Sequence, residues 1–314
     1  VTDHGNLFGA IELVMEANSL NKSVEAWNKE HPEGPRKQTV KPIFGCEVYL
    51  SPSHISVKKQ LPGRRKYTHL LLLAENETGW RNLVKMVSRS HLEGFYYKPR
   101  VDMETLREFH EGLICCTACL AGPLNEWLLN DQPEKAEEAL MALKDVFGEN
   151  NIFVELQDHG IRDQAIVNKG ILRLHEDTGL PLVVTNDAHY LRKEDAYAHD
   201  VLLCIQTGKT VDDENRMRYE PQRFYLRSTE EMAALFPDYP EAIENTGKIA
   251  ERCNLEFTFG KYHLPEFKVP EGYTSLTYFK KLCADGFAQR YGEGTDKQRA
   301  QLEYEQNMIE RMGF

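Results

Sequence analysis

The chain has 314 residues, enough for about two domains and a large buried core. Apolar residues make up 41% and charged residues 28%, which excludes disorder, collagen and coiled coil, and no apolar run is longer than Leu70–Ala74, which is too short to cross a membrane. Lys and Arg number 38 against 49 Asp and Glu, so the net charge of −11 makes the chain as a whole a poor nucleic-acid clamp, although it suits one domain of a larger DNA-handling protein. The tail from residue 261 to 314 holds eight basic and eight acidic residues, which leaves the whole excess of acid in residues 1–260.

Val1 is followed at once by the turn signal Asp3-His4-Gly5, so the chain opens inside a motif and is expected to be a fragment. The given sequence itself shows no charged-then-apolar signal-peptide pattern. Apolar or β-branched runs at Val40–Leu50, Tyr67–Ala74, Gly112–Thr117, Ile152–Leu156 and Leu182–Thr185 predict buried strands. Helical spacing predicts helices over Asn6–Ala17, Gly79–His91, Glu134–Phe147 and Asp163–Thr178. Alternation of strand and helix over about 200 residues predicts an α/β fold with parallel strands closed into a barrel. Beyond residue 200 a short strand is expected at Phe224–Arg227, and Ser228-Thr-Glu-Glu231 has capping-box spacing for a helix. A further helix is expected at Pro240–Cys253. Two Pro and one Gly between His263 and Tyr273 mark a linker, giving domains at 1–262 and 263–314; helices over Thr274–Tyr291 and Lys297–Met312 fill the second.

Seven cysteines at irregular spacing argue against a disulfide framework and for a reducing cytosol. Cys116-Thr-Ala-Cys119 has no second CxxC to make a zinc ribbon. The more telling pattern is that every expected strand end carries a ligand-type side chain: Glu47, His69, Cys119, Asp158-His159, and Asp187 with His189, joined by Asp3-His4 at the start. Strand ends of an α/β barrel converge on one mouth, so these residues can meet. Asp187 and His189, two apart in an extended segment, would point the same way. Carboxylates, imidazoles and a thiol together suit zinc, manganese or iron better than calcium or magnesium, and such a centre can hydrolyse a phosphoester. Taken singly, each residue has a plainer role: a surface His, a turn Asp, a buried Cys.

Five segments carry a resemblance: Thr2-Asp-His-Gly-Asn-Leu-Phe-Gly-Ala10, Gly45-Cys-Glu-Val-Tyr49, Asn82-Leu-Val84, Leu92-Glu-Gly-Phe-Tyr-Tyr-Lys-Pro-Arg-Val-Asp102 and Thr185-Asn-Asp-Ala-His-Tyr190. Over essentially its whole length the chain resembles the alpha subunits of bacterial DNA polymerase III, the C-family replicative polymerases. The resemblance falls on their N-terminal polymerase-and-histidinol-phosphatase (PHP) domain and the first helices of the palm, the latter through Glu303–Phe314. It implies a distorted (β/α)7 barrel that here lacks its first strand, and with it a His-x-His motif and about three ligands. His69 follows Glu47 closely, so no exonuclease is inserted there.

The resemblance further implies metal ligands at His4, Glu47, His69, Cys119, Asp187 and His189, with Asp3 behind His4 and His159 as a nearby candidate. Zinc or manganese is the implied metal of that centre. The parent polymerase would use magnesium on palm aspartates outside this stretch, act on DNA primer-template and dNTPs in the cytoplasm, and engage a proofreading exonuclease subunit and a sliding clamp, with no membrane. The domain would itself remove 3′ nucleotides (3′-5′ exonuclease) or dock the separate proofreader. Two other readings are a stand-alone metal-dependent phosphoesterase and a non-catalytic, metal-stabilised interaction module.

Overall fold

In the computed structural model, described for residues 1–219, 221–261 and 265–313, the chain divides into two compact units, Val1–Phe257 and Thr258–Phe314. The linker expected from His263 begins on residues outside those described.

The first unit runs β1 (Thr2–His4), α1 (Ala10–Glu30), β2 (Gly45–Leu50), β3 (Thr68–Ala74), α2 (Glu77–Leu92), β4 (Arg100–Val101), α3 (Met103–Phe109), β5 (Leu113–Cys116), α4 (Asn125–Leu129), α5 (Pro133–Phe147), β6 (Ile152–Leu156), α6 (Arg162–Thr178), β7 (Leu182–Val184), α7 (Ala196–Thr207), α8 (Thr229–Leu235) and α9 (Pro240–Arg252). The second holds α10 (Ser275–Tyr291) and α11 (Asp296–Met312). No helix among the described residues is long and apolar enough to cross a membrane.

The strands form one sheet in the order β1-β2-β3-β5-β6-β7, with β4 beside β2. It is mixed α/β architecture of the barrel-like kind, but the sheet is open, with β1 and β7 at its ends. Most pairings are parallel; β3 runs antiparallel to both β2 and β5. The uniformly parallel sheet expected from the alternation of elements is corrected at this strand, because no helix separates β2 from β3 to carry the chain back.

Strand alternation divides the interior in two. Cys46, Val48, Leu50, Leu70, Leu72, Cys115, Val154 and Leu182 face the helices, packing on Leu83 and Met86 of α2, Leu140 and Leu143 of α5, and Ile171 and Leu174 of α6. The other face carries a smaller apolar cluster, Ile114, Cys116, Phe153 and Val183, plugged by Ile249 and Cys253 of α9 and its C-terminal end. Glu47, Tyr49 and His69 lie on that second face, since Glu47 pairs with His4 and Leu71, and Tyr49 with His69.

Local chemistry sets the helix ends. Asn76 accepts a hydrogen bond from Gly79 N–H (3.1 Å) to start α2. A Cβ on Gly79 would lie 1.8 Å from the Gly112 carbonyl oxygen, so only glycine lets α2 pack against that turn. Ser228 and Glu231 form the expected capping box, with Ser228 Oγ accepting from Glu231 N–H at 3.2 Å and Glu231 Oε2 accepting from Ser228 N–H at 2.9 Å. The strand expected at Phe224–Arg227 is only a single bridge from Tyr225 to Tyr190. Of the run Val40–Leu50, only Gly45–Leu50 is strand; Val40 is tied to the Asn21 amide of α1 by two 2.8 Å hydrogen bonds.

Asp102 caps α3 and ties down a distant loop. Its carboxylate accepts from Thr105 N–H (2.8 Å), the Thr105 hydroxyl (2.7 Å) and Ile55 N–H (2.8 Å). Burial pushes this carboxyl up, yet the three donors together hold it below its ordinary value. A lowered folded-state value stabilises the fold above the ordinary carboxylate range and is lost as pH falls through it. Asp102→Ala should therefore cost about 2–3 kcal/mol at pH 7, combining a lost cap with an unpaired buried donor. Urea unfolding should also show the gap between parent and Asp102→Asn shrinking once the pH falls below the ordinary carboxylate range. A gap that is the same at pH 7 and in acid would refute this assignment.

Candidate metal centre

Three side chains form its tightest part. His4 ends β1, Glu47 lies opposite it on β2, and His69 opens β3. Their ligand atoms lie within 4.8 Å of one another, the single such His/Cys/Asp/Glu grouping among the described residues. His69 Nδ1 is 2.5 Å from Glu47 Oε1, and His4 Nδ1 is 3.6 Å from Glu47 Oε2. The antiparallel course of β3 brings its first residues, not its last, to the mouth where β2 and β5 end. His69 N–H donates to Ala121 O (2.8 Å), locking the start of β3 to the loop after β5.

That loop supplies Cys119, whose Sγ is 3.8 Å from His69 Nδ1 and 3.9 Å from Glu47 Oε1. Burial, reinforced by the carboxylates of Asp187 and Glu47, pushes the Cys119 thiol well above its usual range. The loop after β7 supplies Asp187 and His189 to the same cleft of about 350 Å³, together with Tyr219 and Phe224. An adjoining cavity of about 580 Å³ shares His4, Glu47, Cys119, Asp187 and His189 and continues past Glu155 and Thr185. All six residues expected from the sequence thus border one space.

The reason given for pairing Asp187 with His189 needs correction. The segment is not extended: Asp187 has φ 46°, in the left-handed region, and His189 Nδ1 lies 2.9 Å from the Asp187 carbonyl oxygen. The turn, rather than strand alternation, aims both side chains into the cleft. It is clamped from outside by residues 224–227, with His189 N–H donating to Phe224 O (2.8 Å), Asn186 Nδ2 to Tyr225 O (2.8 Å) and Arg227 N–H to Asn186 Oδ1 (2.9 Å). Ala118, beside Cys119, also has positive φ (63°). Each such backbone conformation costs on the order of 1–3 kcal/mol and is held where surrounding structure over-determines it.

Asp3 and His159 act behind the cleft. Asp3 Oδ2 accepts from Gly9 N–H (2.9 Å), fixing the turn after β1. His159 is fully buried, stacked on Phe224 with ring centroids 4.0 Å apart. Its Nε2 is 2.8 Å from the Asn186 carbonyl oxygen, so it donates there, and Gln164 Nε2 lies 2.8 Å from Nδ1. With both ring nitrogens engaged, His159 supports the Asp187 turn.

Sequence reading missed Glu155. Buried at the end of β6, its carboxylate accepts from Ala118 N–H (2.7 Å), Gln157 Nε2 (3.1 Å) and the Thr185 hydroxyl, joining the Cys119 and Asp187 loops. Burial pushes its carboxyl up to about 7 against the pull of the Thr185 hydrogen bond, with the Asp187 charge adding to the rise. Its one sequence signal is a lone acid inside the apolar run Ile152–Leu156. Tyr219 and Phe224 carried no signal, since only tertiary packing brings them to the cleft.

The electrostatics favour a bound cation. Burial pushes the Glu47 carboxyl up, but the hydrogen bond from His69 and the charges of His4, His69 and His189 hold it below its ordinary value. Burial and the facing Glu47 push Asp187 up, against the pull of His189. A buried carboxylate whose proton affinity is raised by burial and by a neighbouring carboxylate, as that of Asp187 is, is relieved by a metal ion placed beside it. Three imidazoles, two carboxylates and a thiol fit zinc or manganese in donor chemistry.

Comparison with known proteins agrees with this geometry. The profile of the PHP domain family matches residues 1–159. Three similar curated proteins are each named DNA polymerase III subunit alpha. That of Borreliella burgdorferi is 42% identical over 316 residues, covering 100% of this chain and 26% of its own length. That of Treponema pallidum is 40% identical, covering 100% and 25%, and that of Thermus aquaticus 39%, covering 93% and 23%. The chain spans about a quarter of the length of these relatives. By a match that takes in half its residues and a mouth lined with ligand-type side chains, the chain belongs to the PHP domain family.

Proposed function

We propose that this chain is the PHP portion of a bacterial DNA polymerase III alpha subunit, a DNA-directed DNA polymerase that works on primer-template and dNTPs in the cytoplasm. Residues 263–314 would begin the palm. Incorporation, with its magnesium ions, would be carried by residues outside this stretch. The support is similarity over 93–100% of this chain to about a quarter of each of three proteins of that name. Within that protein, the centre formed by His4, Glu47, His69, Cys119, Asp187 and His189 is proposed to hold zinc or manganese and to hydrolyse the terminal phosphodiester of a DNA 3′ end. The observation that carries this reading is the convergence of all six donors on one cleft.

A transition metal bound there supplies a nucleophile at neutral pH and a Lewis acid for a phosphoryl oxygen. The chain's own residues do the rest. Glu155 and His159 hold the two loops that carry Cys119 and Asp187. Tyr219 and Phe224, with ring centroids 4.8 Å apart, wall the cleft and exclude bulk water from its far side. The same domain is proposed as a dock for a proofreading exonuclease subunit, a role supported by the exposed Tyr197, Leu202 and Ile205 on α7. The sliding clamp would engage the parent protein.

The test is a 3′-labelled single strand incubated with the chain and manganese or zinc, in parallel with a primer-template and dNTPs. Slow release of 3′ mononucleotides is expected, abolished by Glu47→Gln and His69→Ala, with no incorporation. Absence of release from the metal-loaded chain would overturn the hydrolytic reading in favour of docking. Incorporation by these 314 residues would overturn the placement of the polymerase site.

A further inference from the structure

The most basic stretch of this acidic chain lies beside the candidate centre. From Val48 to Ala74 there are five Lys or Arg residues, Lys58, Lys59, Arg64, Arg65 and Lys66, and no Asp or Glu. They fall in the connection from β2 to β3, which leads directly into His69. The Arg65 guanidinium donates to the Leu120 carbonyl oxygen (3.4 Å), next to Cys119, so this connection borders the mouth of the cleft.

A second loop, Phe95–Lys98 between α2 and β4, meets it. Tyr96 N–H donates to Lys98 O (3.1 Å), closing a tight turn whose middle residue, Tyr97, has φ 63°. A bulky side chain avoids that region unless something holds it there. Yet Tyr97 is 63% exposed and Phe95 54%, so core packing does not offset the strain. The Lys66 ammonium stands 3.4 Å from the Tyr97 ring centroid, and that of Lys98 5.6 Å from the Tyr49 centroid. From there rings lead inward: Tyr49 packs on Tyr67 (4.9 Å), His69 (5.4 Å) and His4 (6.2 Å). Gly5 makes this approach possible, because a Cβ there would lie 2.8 Å from the Tyr49 ring.

Exposed flat rings interleaved with cations, with the one carboxylate of Glu126 drawn to Arg64 and the Arg65 N–H and none seen against Lys59, Lys66 or Lys98 among the described residues, match the needs of one ligand chemistry. A single-stranded polynucleotide offers phosphates to the cations and unpaired bases to the rings. We propose that the Val57–Tyr67 connection and the Phe95–Lys98 turn form the track along which a single-stranded polynucleotide end reaches the candidate metal centre. The inference rests on the phosphodiester reading above only for what happens once the end arrives. An acidic polypeptide would meet the charges but leave the exposed rings without a partner.

The experiment is fluorescence anisotropy of a labelled oligothymidylate with the 314-residue chain in chelator, so that binding is read without metal chemistry. Binding should weaken steeply with salt. Combining Lys59→Gln, Lys66→Gln and Lys98→Gln should lower affinity at least about tenfold and flatten the log–log salt slope by about 2, at roughly 0.7 per phosphate contact. Tyr97→Ala should cost roughly tenfold with the slope unchanged. Lys29→Gln, on the last turn of α1, is the control for a lysine off the track, and circular dichroism checks each fold. A triple variant that binds like Lys29→Gln, or polyglutamate displacing the oligonucleotide at equal concentration, would overturn the proposal. Binding without 3′ hydrolysis in metal would keep the track and sink the hydrolytic reading. Hydrolysis with the variants binding like the parent would sink the track alone.

Discussion

Arg100→Ala should destabilise the first unit by roughly 3–5 kcal/mol, lowering its thermal midpoint by about 10 °C. Arg100 is the largest fully buried side chain, at 1% exposure. Burial lowers its proton affinity, but an arginine stays charged, so that charge must be met inside the protein. Among the described residues it is met by three carbonyls and a hydroxyl rather than by a direct ion pair. Nε donates to Gly94 O (3.2 Å), Nη1 to Ser51 Oγ (3.2 Å), and Nη2 to Ile55 O (3.2 Å) and Val57 O (3.1 Å). One guanidinium thus pins the chain after β2 to the end of α2, the two places from which the basic connection and the Tyr97 turn depart. Removing it takes the guanidinium donor from the three carbonyl oxygens of Gly94, Ile55 and Val57 around a cavity, while Ser51 Oγ keeps Ser53 N–H. Arg100→Lys should cost nearly as much, because an ammonium cannot span that fork. Thermal unfolding followed by circular dichroism measures both. A loss below about 1 kcal/mol in either would mean the loops hold their shape without the clamp.

What could be read from the sequence follows the physics of burial. Leu70–Ala74, Ile152–Val154 and Leu182–Val184 are continuous apolar runs within β3, β6 and β7, as strands covered on both faces tend to be, and such runs are visible without a structure. Strand direction is not visible: periodicity is the same for a parallel and an antiparallel neighbour, so the reversal of β3 was missed. So was β1, three polar residues that are a strand only because β2 offers a partner edge. The ligand-type residues were legible by type and position near strand ends. The Asp187 turn was not, because its left-handed backbone depends on residues 224–227, nearly forty positions away in the chain. Glu155 was hidden by the same apolar run that revealed its strand.

Metal should stabilise the chain strongly, and the effect should vanish with Glu47. Glu47 contacts His4, His69 and Cys119 together, so its loss dismantles the set rather than subtracting one donor. A ligand that binds only the folded state adds about 2.7 kcal/mol at a hundred times its dissociation constant. After stripping with chelator, zinc or manganese should raise the thermal midpoint of the parent by several degrees and remain, at one or more ions per chain, after desalting. Glu47→Ala should show neither. Asp187→Ala and His189→Ala should retain part of the response, because the tight grouping of His4, Glu47 and His69 survives in them. Cys119 adds a check by pH. Its thiol is held well above the usual range in the metal-free chain, and a metal that takes it as a ligand must displace that proton. Binding should therefore release protons in excess of those released by Cys119→Ser, measurable by calorimetry in buffers of different ionisation enthalpy. Equal release by the two would remove Cys119 from the centre, and an unaltered metal response in Glu47→Ala would remove the centre from this cleft.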